Sequence, residues 1–115
     1  MDDDNAIAAL AALAHIDRLS AFRLLVKTGP NGLASGEIAD RLAIPPTRMS
    51  FHLTALERSG LVRSRRVGRH IFYAANYRAM RELLAFLTED CCGGRPEICG
   101  DLSALLGACS KEVCQ

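Results

Sequence analysis

The tightest constraint on this chain lies between Ser35 and Ala74. Apolar residues recur there twice at helical spacing, first as Ile38, Ala39 and Leu42, then as Met49, Leu53 and Leu56. Only the link Ala43 to Pro46 separates the two runs. Pro46 suits the first position of a helix, where its missing N–H has no partner to lose, and Gly60 can end that helix. Leu61 to Val67 and His70 to Ala74 then read as strands. Gly68-Arg69 between them fits a type II′ turn, which takes Gly at its first central position. A pair of short helices on a tight link, followed by a hairpin, predicts a mainly α fold with a β-hairpin wing (α+β), a winged helix-turn-helix.

The remaining elements support a small helical domain. Residues 3–14 read as a helix with Ile7, Leu10 and Leu13 on an Ala-rich face. Asp17 is expected to cap a second helix running to about Lys27, with Leu19, Phe22, Leu25 and Val26 at helical spacing. A loop, Thr28 to Gly32, carries turn residues. Ser35 is expected to cap a third helix over Gly36 to Leu42. The fourth runs from Pro46 to about Ser59, and a last from about Asn76 to Asp90 with Met80, Leu83, Leu84 and Leu87. Gly93 and Gly94 stop it. The 115 residues, half of them hydrophobic and none of them Trp, suit one domain over 1–90 and a tail over 91–115. The tail reads with one short helix near Leu102 to Ala108. No run approaches the roughly 20 apolar residues of a membrane span. Asp2, Asp3 and Asp4 stand where a secretory signal would be positive, so a cytoplasmic protein with no membrane partner is expected.

Net charge is only +1, but its distribution is uneven. Seven Arg (Arg58, Arg63, Arg65, Arg66, Arg69, Arg78, Arg81) fall between residues 58 and 81 with no Asp or Glu among them. On charge alone, a solvated face and a phosphate-binding patch are equally good readings. The helical pair favours the second. The later helix of such a pair can enter the major groove of double-stranded DNA, about 12 Å wide, with its outward side chains on base edges. Thr47, Arg48, Ser50, Phe51, Thr54 and Arg58 lie mostly off the apolar stripe, and no acid precedes Glu57 on that helix. Arg65, Arg66 and Arg69 of the hairpin are placed to reach phosphates or the minor groove.

At these residues the chain resembles the ArsR/SmtB family of metal-sensing repressors. The matching stretches are Arg18-Leu19, Phe22-Arg23-Leu24-Leu25, Gly36-Glu37-Ile38-Ala39, Met49-Ser50-Phe51-His52-Leu53, Leu56, Gly60-Leu61-Val62, and Gly68-Arg69 before Phe72-Tyr73. The similarity covers roughly residues 6–90. It implies operator DNA as partner, with His52 in the recognition-helix motif, either touching DNA or packing beneath it. It also implies a homodimer built from the first and last helices. Ile7, Leu10 and Leu13, with Leu83, Leu84 and Leu87, offer more apolar surface than a monomer this small readily buries. Closing the monomer core is the other use of those stripes.

The family's familiar sensing sites are missing. Ala34-Ser35-Gly36-Glu37 stands where its founding arsenic sensors carry Cys-x-Cys, and the usual Asp and His pattern of the last helix is absent. All five Cys lie after residue 90. Cys91-Cys92, then Cys99, resembles an arsenic-responsive subgroup with a vicinal pair and a third Cys in the tail. Three soft thiolates suit As(III) or Sb(III), whose lone pair leaves a three-sulfur pyramid, better than zinc, which normally takes four ligands. Cys109 or Cys114 can supply a fourth sulfur, so zinc stays open. A disulfide between Cys91 and Cys92 is disfavoured, because adjacent Cα atoms sit about 3.8 Å apart, below the usual bridge range.

His15 and His70 are expected at the surface or beside the basic patch, and Glu89-Asp90 as solvated acids. No catalytic triad, phosphate loop or cofactor fingerprint is present, so neither an enzyme nor an organic cofactor is expected. The sequence reading is a repressor released from its operator by As(III), Sb(III) or a trivalent organoarsenical. The alternatives are a thiol-redox-sensing repressor of the same fold and a zinc- or metal-binding thiol protein.

Overall fold

A computed structural model describes residues 1–88. The tail over 91–115, with Cys91, Cys92 and Cys99, lies outside the described residues, as do the proposed short helix and the Gly93-Gly94 stop. The elements run α1 (Asp3–Leu13), α2 (Ile16–Thr28), β1 (Leu33–Ala34), α3 (Ser35–Leu42), α4 (Pro46–Arg58), β2 (Val62–Val67), β3 (His70–Ala75) and α5 (Tyr77–Thr88). This is the expected winged helix-turn-helix.

Leu25, Ile38, Met49, Leu53, Leu56, Leu61 and Val62 are fully buried and form its centre. The stripe Met49, Leu53, Leu56 is wholly buried, as a narrow apolar face on an otherwise polar helix requires. The α3–α4 turn is closed by Ala43 in the left-handed conformation, with φ 55 and ψ 43. Pro46 then starts α4.

The wing is the expected hairpin. Val67 faces His70 across a two-residue turn, and Gly68 takes φ 62. A short β1 went unpredicted. Leu33 and Ala34 pair with Tyr73 and Phe72, which makes a three-stranded sheet of order β1-β3-β2. Gly32 makes that approach feasible. It has φ 73, and a Cβ there would lie 2.1 Å from the Tyr73 carbonyl oxygen.

Three helix starts differ from expectation. His15, not Asp17, caps α2: its Nδ1 accepts from the Asp17 N–H at 3.1 Å. Ser35 is the first residue of α3 instead of its cap, because Ala34 is held in β1 and takes the cap position. Asn76 caps α5 from outside, accepting from the Ala79 N–H while its amide donates to the Gly60 carbonyl at 2.9 Å. Tyr77 then ties α5 to the end of α2, its hydroxyl donating to the Val26 carbonyl at 2.9 Å. On α1 it is Ala6, Ala9 and Ala12 that are buried, so the small-residue face packs inward while Ile7 and Leu10 stay exposed.

Candidate nucleic-acid interface

Once Met49, Leu53 and Leu56 point inward, the rest of α4 has no choice of side. Thr47, Arg48, Ser50, Phe51 and Arg58 are exposed, and Thr54 is half-buried. Phe51 is 75% exposed, unusual for a residue whose ring favours burial, and it stands among polar neighbours. An open hollow of about 710 Å³ lies along this face, bordered by Arg18, Thr47, Ser50, Phe51, Thr54 and Arg58 among others. A helix face with hydroxyls, one apolar ring and flanking guanidiniums can hydrogen-bond base edges, meet a thymine methyl and hold phosphates.

The wing arginines divide by strand alternation. Ser64 donates to Glu57 of α4, so its side of the sheet faces α4, and Arg66, two residues on, shares that side. Arg65 points the other way. Its guanidinium sits 5.1 Å from the centre of the Phe72 ring and donates to the Asn31 carbonyl at 3.1 Å. The sequence groups Arg65, Arg66 and Arg69 as one phosphate-binding set. In the fold all three are exposed, and Arg65 is in addition held over the Phe72 ring and at the Asn31 carbonyl.

His52 borders the same hollow but is largely buried. Its side chain is only 12% exposed and turns toward α2, with Nε2 3.3 Å from Asp17 Oδ2. That atom is buried and has no aligned hydrogen-bond partner among the described residues. Burial, with His15 and Arg18 nearby, holds the imidazole below its ordinary pKa against the opposing pull of Asp17. The same Asp17 oxygen receives Arg48 Nε at 3.3 Å. Asp17, expected only as a cap, is therefore the residue that fastens the start of α2 to α4. The one sequence hint was the close spacing of His15 and Asp17, which has no value without the position of His52.

The dimer residues separate into two groups. Leu83 is 5% exposed and belongs to the monomer core, while Leu13 is half-buried and packs partly against it. Ile7, Leu10, Leu84 and Leu87 stay exposed on α1 and α5. These two helices pack against each other. Among the described residues no helix is long and apolar enough to cross a membrane.

Comparison with known proteins agrees with this geometry. A family model described as a helix-turn-helix domain matches residues 13–65. The transcriptional activator HlyU of Vibrio cholerae is 35% identical over 82 residues, which cover 69% of this chain and 73% of that protein. Its structure superposes with a TM-score of 0.59 at 34% identity, covering 76% of this chain and 97% of HlyU. The homodimeric winged helix-turn-helix DNA-binding domain of Mb0332 from Mycobacterium bovis, a possible ArsR-family regulator, gives 0.62 at 26% identity, covering 76% and 85% of the two chains. The transcriptional repressor BigR from Xylella fastidiosa gives 0.58 at 28% identity, covering 74% and 85%.

Proposed function

Because the chain belongs to the ArsR/HlyU type of winged helix-turn-helix transcriptional regulators, we propose that it is a repressor that binds operator DNA as a homodimer and lets go when a trivalent metalloid occupies its tail cysteines. The DNA-facing surface is Thr47, Arg48, Ser50, Phe51 and Thr54 of α4, with Arg66 and Arg69 of the wing. The observation that carries this is the outward face of α4: a solvent-exposed Phe51 among hydroxyls and guanidiniums, directly opposite a fully buried stripe. The homodimer is supported by Ile7, Leu10, Leu84 and Leu87, left exposed on the contacting helices α1 and α5, and by the homodimeric state of Mb0332. Repression is supported by BigR, and HlyU as an activator marks the other direction the same architecture can take.

Sensing is assigned to Cys91, Cys92 and Cys99, as three thiolates around one As(III) or Sb(III). Only Glu89 and Asp90 separate Thr88, the last described residue of α5, from the vicinal pair in sequence. An ion gathered there acts at the end of a helix that also carries Leu84 and Leu87. Closing the sulfur clamp can therefore change the angle between subunits, and with it the spacing of the two recognition helices. The ion must bind more tightly to the arrangement that fits DNA poorly, since equal affinity for both would shift nothing.

A gel shift with DNA from upstream of the gene, repeated with arsenite and with peroxide, tests this reading. Retardation relieved by arsenite is the expected result. Relief by peroxide alone would replace metalloid sensing with thiol oxidation, and no retardation at any salt concentration would remove the repressor.

A further inference from the structure

His15, Asp17 and His52 bring one donor atom each within 4.8 Å of the others. His15 opens α2, Asp17 lies in its first turn, and His52 comes from the middle of α4. The imidazole rings are 4.5 Å apart. His52 Nε2 is buried, directed at Asp17 and, among the described residues, without an aligned partner, a condition most buried polar atoms avoid. We propose that these three residues form a binding site for one borderline-soft divalent cation, Zn(II) foremost, which fastens the recognition helix to the start of α2.

The donor set fits that class. Two imidazole nitrogens and one carboxylate oxygen, with water in the fourth position, make a familiar zinc sphere with bonds of about 2.0–2.2 Å. Such bonds place donors roughly 3.3–3.5 Å apart in a tetrahedron, so the present cluster must contract. His15 is exposed and can move; His52 already lies 3.3 Å from Asp17. A cation at Asp17 Oδ2 displaces Arg48, which is 56% exposed and free to turn to solvent. It also takes from His15 either the Nδ1 lone pair that caps α2 or, through Nε2, the tautomer that supplies it. Arg18 and Arg48 oppose the charge, so affinity rests on the two imidazoles and the carboxylate together. The three ligands proposed include none of the cysteines, and binding of the ion does not depend on α4 meeting DNA.

The test is calorimetric titration of Zn(II) into the full chain with its five cysteines replaced by Ser, so that no thiolate contributes. The same titration into the wild-type chain with alkylated thiols guards against a folding defect in that variant. One Zn(II) per chain is expected in both, with a rise in melting temperature that follows from binding only the folded state. His15→Gln and His52→Gln should each weaken binding by at least the roughly 10- to 100-fold that follows loss of an outer partner. Asp17→Asn should weaken it comparably. Absence of binding in both parent forms, or unchanged affinity in both histidine variants, overturns the site.

Discussion

Arg65 and Arg66 are neighbours in sequence and face opposite sides of the wing. Arg65 is anchored over Phe72 and on the Asn31 carbonyl, whereas Arg66 shares the side of Ser64 and Glu57, toward the recognition helix. The two should therefore fail differently. Arg66→Ala is expected to weaken binding to all DNA sequences alike and to lower the salt slope by about 0.9 per lost phosphate contact. Arg65→Ala should leave the salt slope nearly unchanged and lower the thermal stability of the wing instead. Equal salt slopes for wild type and Arg66→Ala would take that arginine off the DNA.

Leu83 and Leu84 make a second contrasting pair. Leu83 is 5% exposed, and Leu83→Ala should cost about 2–5 kcal/mol of stability as a core truncation. Leu84 is 36% exposed, and Leu84→Arg should leave the monomer folded but place an uncompensated charge in the subunit seam. Sedimentation should then show monomers that no longer bind operator. A Leu84→Arg chain that remains dimeric locates the interface elsewhere.

Gly32 should tolerate no side chain. A Cβ there meets the Tyr73 carbonyl oxygen at 2.1 Å, on a backbone with φ 73. Gly32→Ala is expected to cost more than the roughly 1–2 kcal/mol of a left-handed alanine alone, because β1 must also move off β3. Denaturant melts of the two chains decide it, and an unchanged midpoint would show that β1 is not held as described.

Ala43 is the opposite case, a left-handed residue with a side chain. Ala43→Gly should raise stability by up to about 1 kcal/mol, since relief of the strained alanine exceeds the added freedom of the unfolded chain. A loss of stability would mean that the Ala43 methyl contributes packing the turn needs.

Much of this was legible in the sequence because it rests on local periodicity. The stripe Met49, Leu53, Leu56 fixed which side of α4 points outward, and Gly68-Arg69 fixed the hairpin. What escaped was non-local. β1 is a two-residue strand whose pairing with Tyr73 and Phe72 depends on a chain reversal no local pattern announces. The pairing of Asp17 with both Arg48 and His52 requires knowing that α2 and α4 cross. Arg65 and Arg66 look equivalent in a basic run, and only the two-residue period of a strand separates them. Leu83 reads as interface because helical spacing cannot tell a core-facing leucine from one awaiting a partner subunit.

The central claim is most directly tested by fluorescence polarisation of operator DNA bound to the protein, titrated with arsenite, for single Ser substitutions at each of the five cysteines. An allosteric coupling of about 1–3 kcal/mol, or roughly 5- to 150-fold in operator affinity, is the ordinary size for such a switch. Cys91→Ser, Cys92→Ser and Cys99→Ser should bind operator as the wild type does and show no release. Cys109→Ser and Cys114→Ser should release normally. Normal release from both Cys91→Ser and Cys92→Ser would contradict the vicinal-pair sensor.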